Sequence, residues 1–476
     1  MKHLSNAHKL KKQITVEVIK EFLSDKLEEN LKYIPVNLRP RIKSSSRCCV
    51  YKDRELIKYR VMAALGVATE DEIEEATTLG EYGKVALERK SANKRILSVL
   101  NIACQSCVKA RYLVTEACKG CLARPCTTVC PQQTIYVKDG QAYIDYAKCN
   151  NCGKCVDACP YSAIIHIPVP CEKECSVGAI KKNAYNQQYI DFDKCIYCGK
   201  CTNACPFGAV LEISQVIDVL KAIKGEKKVN ALISPAIEGQ FPGTLEQFVT
   251  AIKEIGFDEV YEVASGGLKL IKNESEVLEQ KLRCKSESSQ NNNCLMTSSS
   301  CPAYLELVKK YIPEMAQYVS QSKSPLQYTA DKLSSENSDA VNVFIGSCMA
   351  NKLEVQNSDN LDFCLTFEDL GAMLIAHKID IQSLSETSLS PSKHNNEAKT
   401  IAKAGGLAAA VEKAFFENNT DKIDVHHIDG VTIDKIAELK LYANKEKITN
   451  YLEVTTCEGG CQNGPCSIGL MKLKSS

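Results

Sequence analysis

Over the first hundred residues charged and apolar positions alternate at helical spacing, and Val16–Asn30 and Glu70–Val85 predict amphipathic helices. No glycine interrupts this stretch before Gly66, which suits continuous helix, because glycine gives up the most backbone freedom on ordering. Between 101 and 210 the pattern shortens. β-prone stretches at Thr134–Val137, Ala142–Ile144 and Gln188–Ile190, separated by turn residues, predict the hairpins of a small fold. Residues 211–227 carry Val216, Val219, Leu220 and Ile223 at helical spacing and predict a connecting helix. From 228 on, strand-like apolar runs alternate with helical ones: Val229–Ser234, Phe248–Ile255, Glu259–Ala264 and Ala340–Gly346. Later come Ala408–Phe416, Ile423–Ile428, Ile433–Tyr442 and Tyr451–Thr455. That alternation predicts an α/β domain with mainly parallel sheets. The expected organisation is a helical region at 1–100, a small module at 101–210 and an α/β domain at 228–476, so the chain mixes α+β and α/β classes. Two polar stretches, Lys285–Asn293 and Ser383–Asn396, read as surface insertions.

Composition narrows the picture. Lysine and arginine total 59 against 58 acids in 476 residues, so global charge gives no reason to expect nucleic acid or a membrane surface as partner. No apolar run reaches transmembrane length and no apolar segment follows Met1-Lys2-His3, so a cytoplasmic location is expected. In such a reducing compartment the 26 cysteines read as metal ligands rather than a disulfide framework.

Sixteen of them fall between Cys104 and Cys205. Two runs, Cys149, Cys152, Cys155, Cys159-Pro160 and Cys195, Cys198, Cys201, Cys205-Pro206, have the form Cys-x-x-Cys-x-x-Cys-x-x-x-Cys-Pro. A third, Cys118, Cys121, Cys126, Cys130-Pro131, differs by a two-residue insertion, and Cys104, Cys107, Cys171 and Cys175 complete the set. Three thiolates on a tight loop hold three corners of a [4Fe–4S] cubane, and the fourth, before proline, crosses to a neighbouring cluster. Zinc, the rival, usually takes two separated Cys-x-x-Cys knuckles. Three to four cubanes are therefore expected, in a ferredoxin-like module. The Cys118 run pairs naturally with the Cys149 run, although pairing of the Cys149 and Cys195 runs stays open. Cys48 and Cys49 read as buried structural thiols.

A second set follows a different logic. Cys301-Pro302 follows Thr297-Ser298-Ser299-Ser300, Cys348 ends the strand-like run Val341–Gly346, and Cys457 and Cys461 frame Glu458-Gly459-Gly460 directly after Tyr451–Thr455. Ligands gather at the carboxyl ends of strands in open α/β sheets, so the four thiols converge on one site or are unrelated buried cysteines; spacing leaves both open.

Thr297-Ser298-Ser299-Ser300-Cys301-Pro302-Ala303-Tyr304, Gly346-Ser347-Cys348-Met349-Ala350-Asn351-Lys352-Leu353-Glu354 and Cys457-Glu458-Gly459-Gly460-Cys461 resemble, in order, the three signature segments of [FeFe]-hydrogenases. Arg47–Arg54 and Cys118–Cys126 look like the monomeric multi-cluster (group B-like) branch of that family. The resemblance implies a two-lobed catalytic domain carrying an H-cluster, a cubane joined through one cysteine to a two-iron site with CO and cyanide ligands. Cys301, Cys348, Cys457 and Cys461 would hold the cubane, with Cys461 as the bridge. Ser234, Pro235, Ala236 and Ile237 would line the pocket, and Ala404, Gly405 and Gly406 would permit close backbone approach. Implied partners are a ferredoxin or flavodoxin, H2 and protons, and maturation proteins that install the site.

Several tuning positions depart from the family pattern. Ser300 stands where the family has a cysteine that carries protons, and a hydroxyl lies far above a thiol in pKa. Glu274 and Ser320 match further relay positions, whereas Val277 stands where a second acid is expected; a solvated helix residue is the alternative reading of Glu274. Asn351 replaces a lysine that donates to cyanide, with Lys352 beside it and Glu354 kept, and a neutral donor is the weaker one. Gly346 and Thr455 replace methionines. Slow, reversible H2 oxidation and proton reduction is expected. The alternatives are an H2- or CO-responsive sensor and an electron-transfer protein without the two-iron site; with fifteen residues after Cys461, a sensor's output domain is not expected. No dinucleotide or phosphate-binding glycine motif is present, so electrons are expected from a partner protein. The pair His426-His427 reads as structural histidines, and His166 lies among the clusters with nothing in its spacing to mark it as a ligand.

Overall fold

The computed structural model describes residues 5–41, 49–104, 107, 109–286, 295–337, 339–389, 396–419 and 422–469. Cys48 and most of the Lys285–Asn293 insertion lie outside them. At the N-terminus Ser5 caps a helix at Asn6–Leu23, which buries Ile14, Val18, Ile19 and Phe22. The expected helix Val16–Asn30 breaks at Asp25, which takes φ 55, before the short helix Leu27–Asn30. Glu70–Val85 is likewise divided, into a turn at Thr69–Asp71 and a helix at Leu79–Glu88 opened by a Thr78/Glu81 capping box. In both places a local capping or turn residue overrides the apolar spacing.

The cysteine-rich region is one small ferredoxin-like fold nested inside another. In the outer fold, Leu97–Val99 pairs antiparallel with Val210–Glu212, and Ile180–Lys182 with Gln188–Ile190. Between Cys107 and Cys171 lies the inner copy, with Arg111–Val114 paired to Ile164–Ile167 and Ile135–Lys138 to Gln141–Ile144. Each copy thus closes its first strand on its last and carries a hairpin between. Leu211 and Glu212, expected as the start of a helix, belong to the closing strand Val210–Glu212, and the helix runs Val216–Lys224.

The α/β domain has two sheets. Four parallel strands lie in the order Glu259–Glu262, Val229–Ile233, Val341–Gly346 and Phe363–Thr366. Three more parallel strands lie in the order Met296–Thr297, Tyr451–Thr455 and Val425–Asp429. Val229–Ile233 and Tyr451–Thr455 are buried throughout, as expected of central parallel strands covered on both faces.

The lobes, the module and the N-terminal helices pack together. Helix Asn6–Leu23 lies on helix Phe367–Ala376 of the first lobe. Gly199 of the outer ferredoxin copy, at φ +72, lets the chain pass so close to Pro465 that an added Cβ would come within 2.7 Å of its Cγ. No described helix is long and apolar enough to cross a membrane.

Candidate metal centre

The nested folds arrange the sixteen thiols in crossed sets. One cavity is lined by Cys118, Cys121, Cys126 and Cys159. A second is lined by Cys130, Cys149, Cys152 and Cys155. Each set takes three thiols from one run and the fourth from the other. The outer copy repeats the pattern: Cys171 neighbours Cys205, Cys104 and Cys107, and Cys195 neighbours Cys198 and Cys175. Cys104, Cys107, Cys171 and Cys175 are therefore one run, divided by the inserted inner fold. The fourth thiols share a further feature. The backbone N–H four residues on donates to Sγ, from Thr134 to Cys130 (3.4 Å), Ala163 to Cys159 (3.4 Å), Ala179 to Cys175 (3.2 Å) and Ala209 to Cys205 (3.3 Å).

Among the described residues no three His, Cys, Asp or Glu side chains close around a single ion. The thiols are instead spaced around cavities, the arrangement a multi-iron cluster needs. Burial pushes Cys171 and Cys195 up to about 12, and the neighbouring thiols push further. Buried thiols become stable thiolates when a cationic centre sits among them.

In the α/β domain the second cysteine set comes together. Cys301 and Cys348 follow Met296–Thr297 and Val341–Gly346, and Cys457 and Cys461 follow Tyr451–Thr455. All four line one cavity between the lobes, walled by apolar Val263, Leu326, Phe344 and Ile401. Burial drives the Cys348, Cys457 and Cys461 thiols well up, and in each case Cys301 and another of the set add to the shift. The ligand loops are bound to each other: Ser347 Oγ donates to the Cys461 carbonyl at 2.5 Å, and Cys301 Sγ lies 3.4 Å from Thr456 Oγ1. Cys198 of the outer ferredoxin copy is on the same cavity wall, so one thiol set abuts the next.

Ser234, Pro235, Ser300, Asn351 and Glu354 also line this cavity, whereas Ala236, Glu274, Ser320, Gly405 and Gly406 do not. Glu274 is fully buried and accepts a hydrogen bond from the Tyr451 hydroxyl. Burial raises its carboxyl to about 7, against the opposing pull of Tyr451, Ser320 and Ser299. The solvated reading of Glu274 is therefore wrong. Val277 packs on the apolar cluster around Leu270 and Leu278. Asn351 Nδ2 donates to Glu354 Oε2 at 2.6 Å, and Ser324 Oγ donates to the same carboxylate. An amide nitrogen has two hydrogens, so Asn351 keeps one donor beyond this bond. The close approaches of Gly405 and Gly406 are to protein: an added Cβ would meet the His427 ring at 3.2 Å and the Thr400 carbonyl at 1.9 Å.

Lys352 turns away from the cavity. It pairs with Glu212 and donates to the Ile213 carbonyl at 2.6 Å, while Lys11 reaches Glu212 and Glu368 at 2.6 Å each. Burial would raise Glu212, but Lys11 and Lys352 outweigh it and hold the carboxylate at about 2. One buried network thus joins the N-terminal helix, the last strand of the module and the helix after Cys348.

Glu453 is also absent from the sequence-derived set. Its carboxylate accepts from the Ala408 N–H (2.7 Å) and the Gly405 N–H (3.3 Å), and burial raises it to about 7. A lone carboxylate in an apolar strand was the available signal. His426 pairs with Asp424 at 3.2 Å, and His166 packs on Tyr112 with ring centroids 4.8 Å apart.

A two-copy ferredoxin-like module abutting a two-lobed, thiol-lined cavity defines an iron–sulfur oxidoreductase. The comparisons with known proteins narrow that class. The family described as iron only hydrogenase large subunit, C-terminal domain, matches residues 227–465, and the chain belongs to it. A 4Fe-4S dicluster domain matches residues 111–160, and a 4Fe-4S binding domain matches residues 189–211. The chain is 26% identical over 374 residues to iron hydrogenase 1 of Clostridium pasteurianum, covering 67% of this chain and 64% of that one. It is 24% identical over 368 residues to the NADP-reducing hydrogenase subunit HndD of Solidesulfovibrio fructosivorans, covering 66% and 55%. The chain thus spans less than two thirds of either relative. Among solved structures, a variant of the [FeFe]-hydrogenase of Chlamydomonas reinhardtii matches at 18% identity and TM-score 0.44, over 53% of this chain and 84% of that one.

Proposed function

We propose that the chain interconverts H2 with protons and electrons, slowly, and that the nested module carries the electrons. The observation that supports this most is the gathering of Cys301, Cys348, Cys457 and Cys461 on one largely apolar cavity with Cys198 at its wall. These four thiols would hold the cubane of an H-cluster, with Cys461 bridging to its two-iron part. When bound, that group supplies the two-electron chemistry of H2. The residues around it do the rest. Ser300 is the cavity hydroxyl placed to pass a proton, and Glu274, beside Ser299 and Ser320, is the buried carboxyl behind it. A carboxyl near 7 suits general acid–base work at neutral pH. Asn351, fixed by Glu354, presents its second N–H to the cavity, and Val263, Leu326 and Phe344 exclude water.

The sixteen module thiols would hold four cubanes. The inner copy would hold two, in the Cys118 and Cys149 sets, and the outer copy two, in the Cys104/Cys107/Cys171/Cys205 set and the Cys195 set, which adjoins the cavity through Cys198. A soluble one-electron carrier, ferredoxin or flavodoxin, feeds the module, and maturation proteins install the two-iron part. A second reading, a sensor or impaired enzyme at the same site, is favoured by Ser300 and by the tie between Asn351 and Glu354. Infrared spectroscopy of the matured protein tests the site. CO and cyanide bands are expected, and their absence would leave an electron-transfer protein.

A further inference from the structure

We propose that the Lys200 ammonium is a cation shared by the Cys195 set of the module and the thiol set of the catalytic cavity, and that its charge sets how readily each accepts an electron. This deepens the reading above and rests on it, since both sets must hold cubanes.

Lys200 is seated at the joint between the two sets. It lies between Cys198 and Cys201 in sequence, and Cys198 lines the same cavity as Cys457. Its Nζ donates to the Val431 carbonyl at 2.6 Å. The Val431 N–H in turn donates at 3.2 Å to the carbonyl of Thr456, the residue before Cys457. Thr456 also meets Cys301, whose Sγ lies 3.4 Å from its Oγ1. The ammonium is therefore held one backbone hydrogen bond from the loop of Cys457, while its own backbone carries Cys198 and Cys201. Burial raises the Cys198 and Cys457 thiols, and Lys200 opposes that rise at both.

Its charge is not offset by an acid. Among the described residues no carboxylate pairs with Lys200. Lys310, which donates to the Cys195 carbonyl at 2.6 Å, is by contrast paired with Glu306 at 3.1 Å. Four thiolates leave a cubane net negative and reduction adds one more charge, so a cation beside two such centres favours the reduced form of each. One electron leaves the centre of the Cys195 set, which is oxidised, and reduces the cavity cubane; no bond forms or breaks.

The inner copy supplies the contrast. Cys152-Gly153-Lys154-Cys155 repeats Cys198-Gly199-Lys200-Cys201, with Gly153 at φ 80 and Gly199 at φ 72. The backbones match, yet Lys154 is exposed. Only the packing of the α/β domain on the outer copy gives this lysine two centres to act on.

The test is redox titration of the full-length, cubane-loaded protein followed by electron paramagnetic resonance, the cavity cubane's signal being the part lost in Cys348→Ala. Two neutral variants are compared: Lys200→Gln, which keeps an N–H donor for Val431, and Lys200→Met. In both, reduction of the cavity cubane and of the Cys195-set cubane is expected to become about tenfold less favourable, a fall of roughly 59 mV for a one-electron couple. Lys200→Arg should stay at the parent potentials, and Lys154→Met should leave the cavity cubane unmoved. Unchanged potentials in the neutral variants overturn the proposal, even if their stability falls. So does an equal shift in Lys200→Arg, which would trace the effect to the seat on Val431 and not to charge. The titration needs neither H2 nor the two-iron part. A chain that never turns over H2 therefore refutes catalysis alone, whereas a cavity without a cubane signal refutes both readings.

Discussion

The nested ferredoxin folds and the cavity between the lobes both gather thiols, by opposite means. In the module, three of the four cysteines of most sets sit within nine residues of one another, and a backbone N–H anchors each fourth sulfur. In the cavity, the thiols come from the ends of three strands in two sheets, and 47 residues separate Cys301 from Cys348. Local loops make the first arrangement nearly independent of the remaining fold. The second exists only if both lobes and their contact are correct. A module of the first kind tolerates change elsewhere, whereas a site of the second kind registers it.

The largest expected effect separates the two directly. Cys348→Ala should abolish the infrared bands of the two-iron part while leaving roughly sixteen irons in the module, four per cubane. Iron analysis and infrared spectra of the same sample check this, and loss of the module's iron would break the comparison.

Next comes the network that fixes the two regions to each other. Lys352→Met leaves the buried Glu212 with Lys11 alone, and breaking a buried pair costs about 3–5 kcal/mol. The denaturation midpoint should fall accordingly. The depressed Glu212 carboxylate also predicts a pH window. Its contribution is present above 4.5 and lost as pH falls towards about 2.

Glu274 gives a comparable effect with the opposite sign of pH dependence. Its raised carboxyl stabilises the fold fully below 4.5, and that contribution is lost as pH rises through about 7. At about 1.4 kcal/mol per pH unit, the difference amounts to roughly 3 kcal/mol. Glu274→Gln should therefore be more stable than the parent at pH 8, and this advantage should vanish at pH 4. Thermal unfolding at the two pH values reads it.

The smallest effect sharpens the catalytic side. Ser300→Cys brings a group nearer neutral pKa into the cavity and should raise H2 evolution about tenfold, equivalent to ~1.4 kcal/mol. No gain would place the limit behind Ser300, where Val277 packs among apolar side chains instead of offering a second acid.

Much of this was legible in the residue order. Alternating apolar runs placed the strands Val229–Ile233, Val341–Gly346 and Tyr451–Thr455, because buried parallel strands need continuous apolar stretches. Cysteine spacing identified the runs, since a cubane constrains three ligands within one loop. Helix ends were less legible, as Asp25 and Thr78 show: a single capping or left-handed residue decides them.

The sequence by itself thus determined which cysteines form runs with cluster spacing and which strands lead to Cys301, Cys348, Cys457 and Cys461. Only the tertiary structure decided that Cys104 and Cys107 complete their run with Cys171 and Cys175 across an inserted fold. It likewise decided that Lys352 turns from the cavity to Glu212, that Glu274 is buried against Tyr451, and that Glu453 lies behind them. Spacing along a chain records local geometry. Burial and pairing between residues more than a hundred positions apart depend on which faces the lobes present to each other, and no local pattern encodes that.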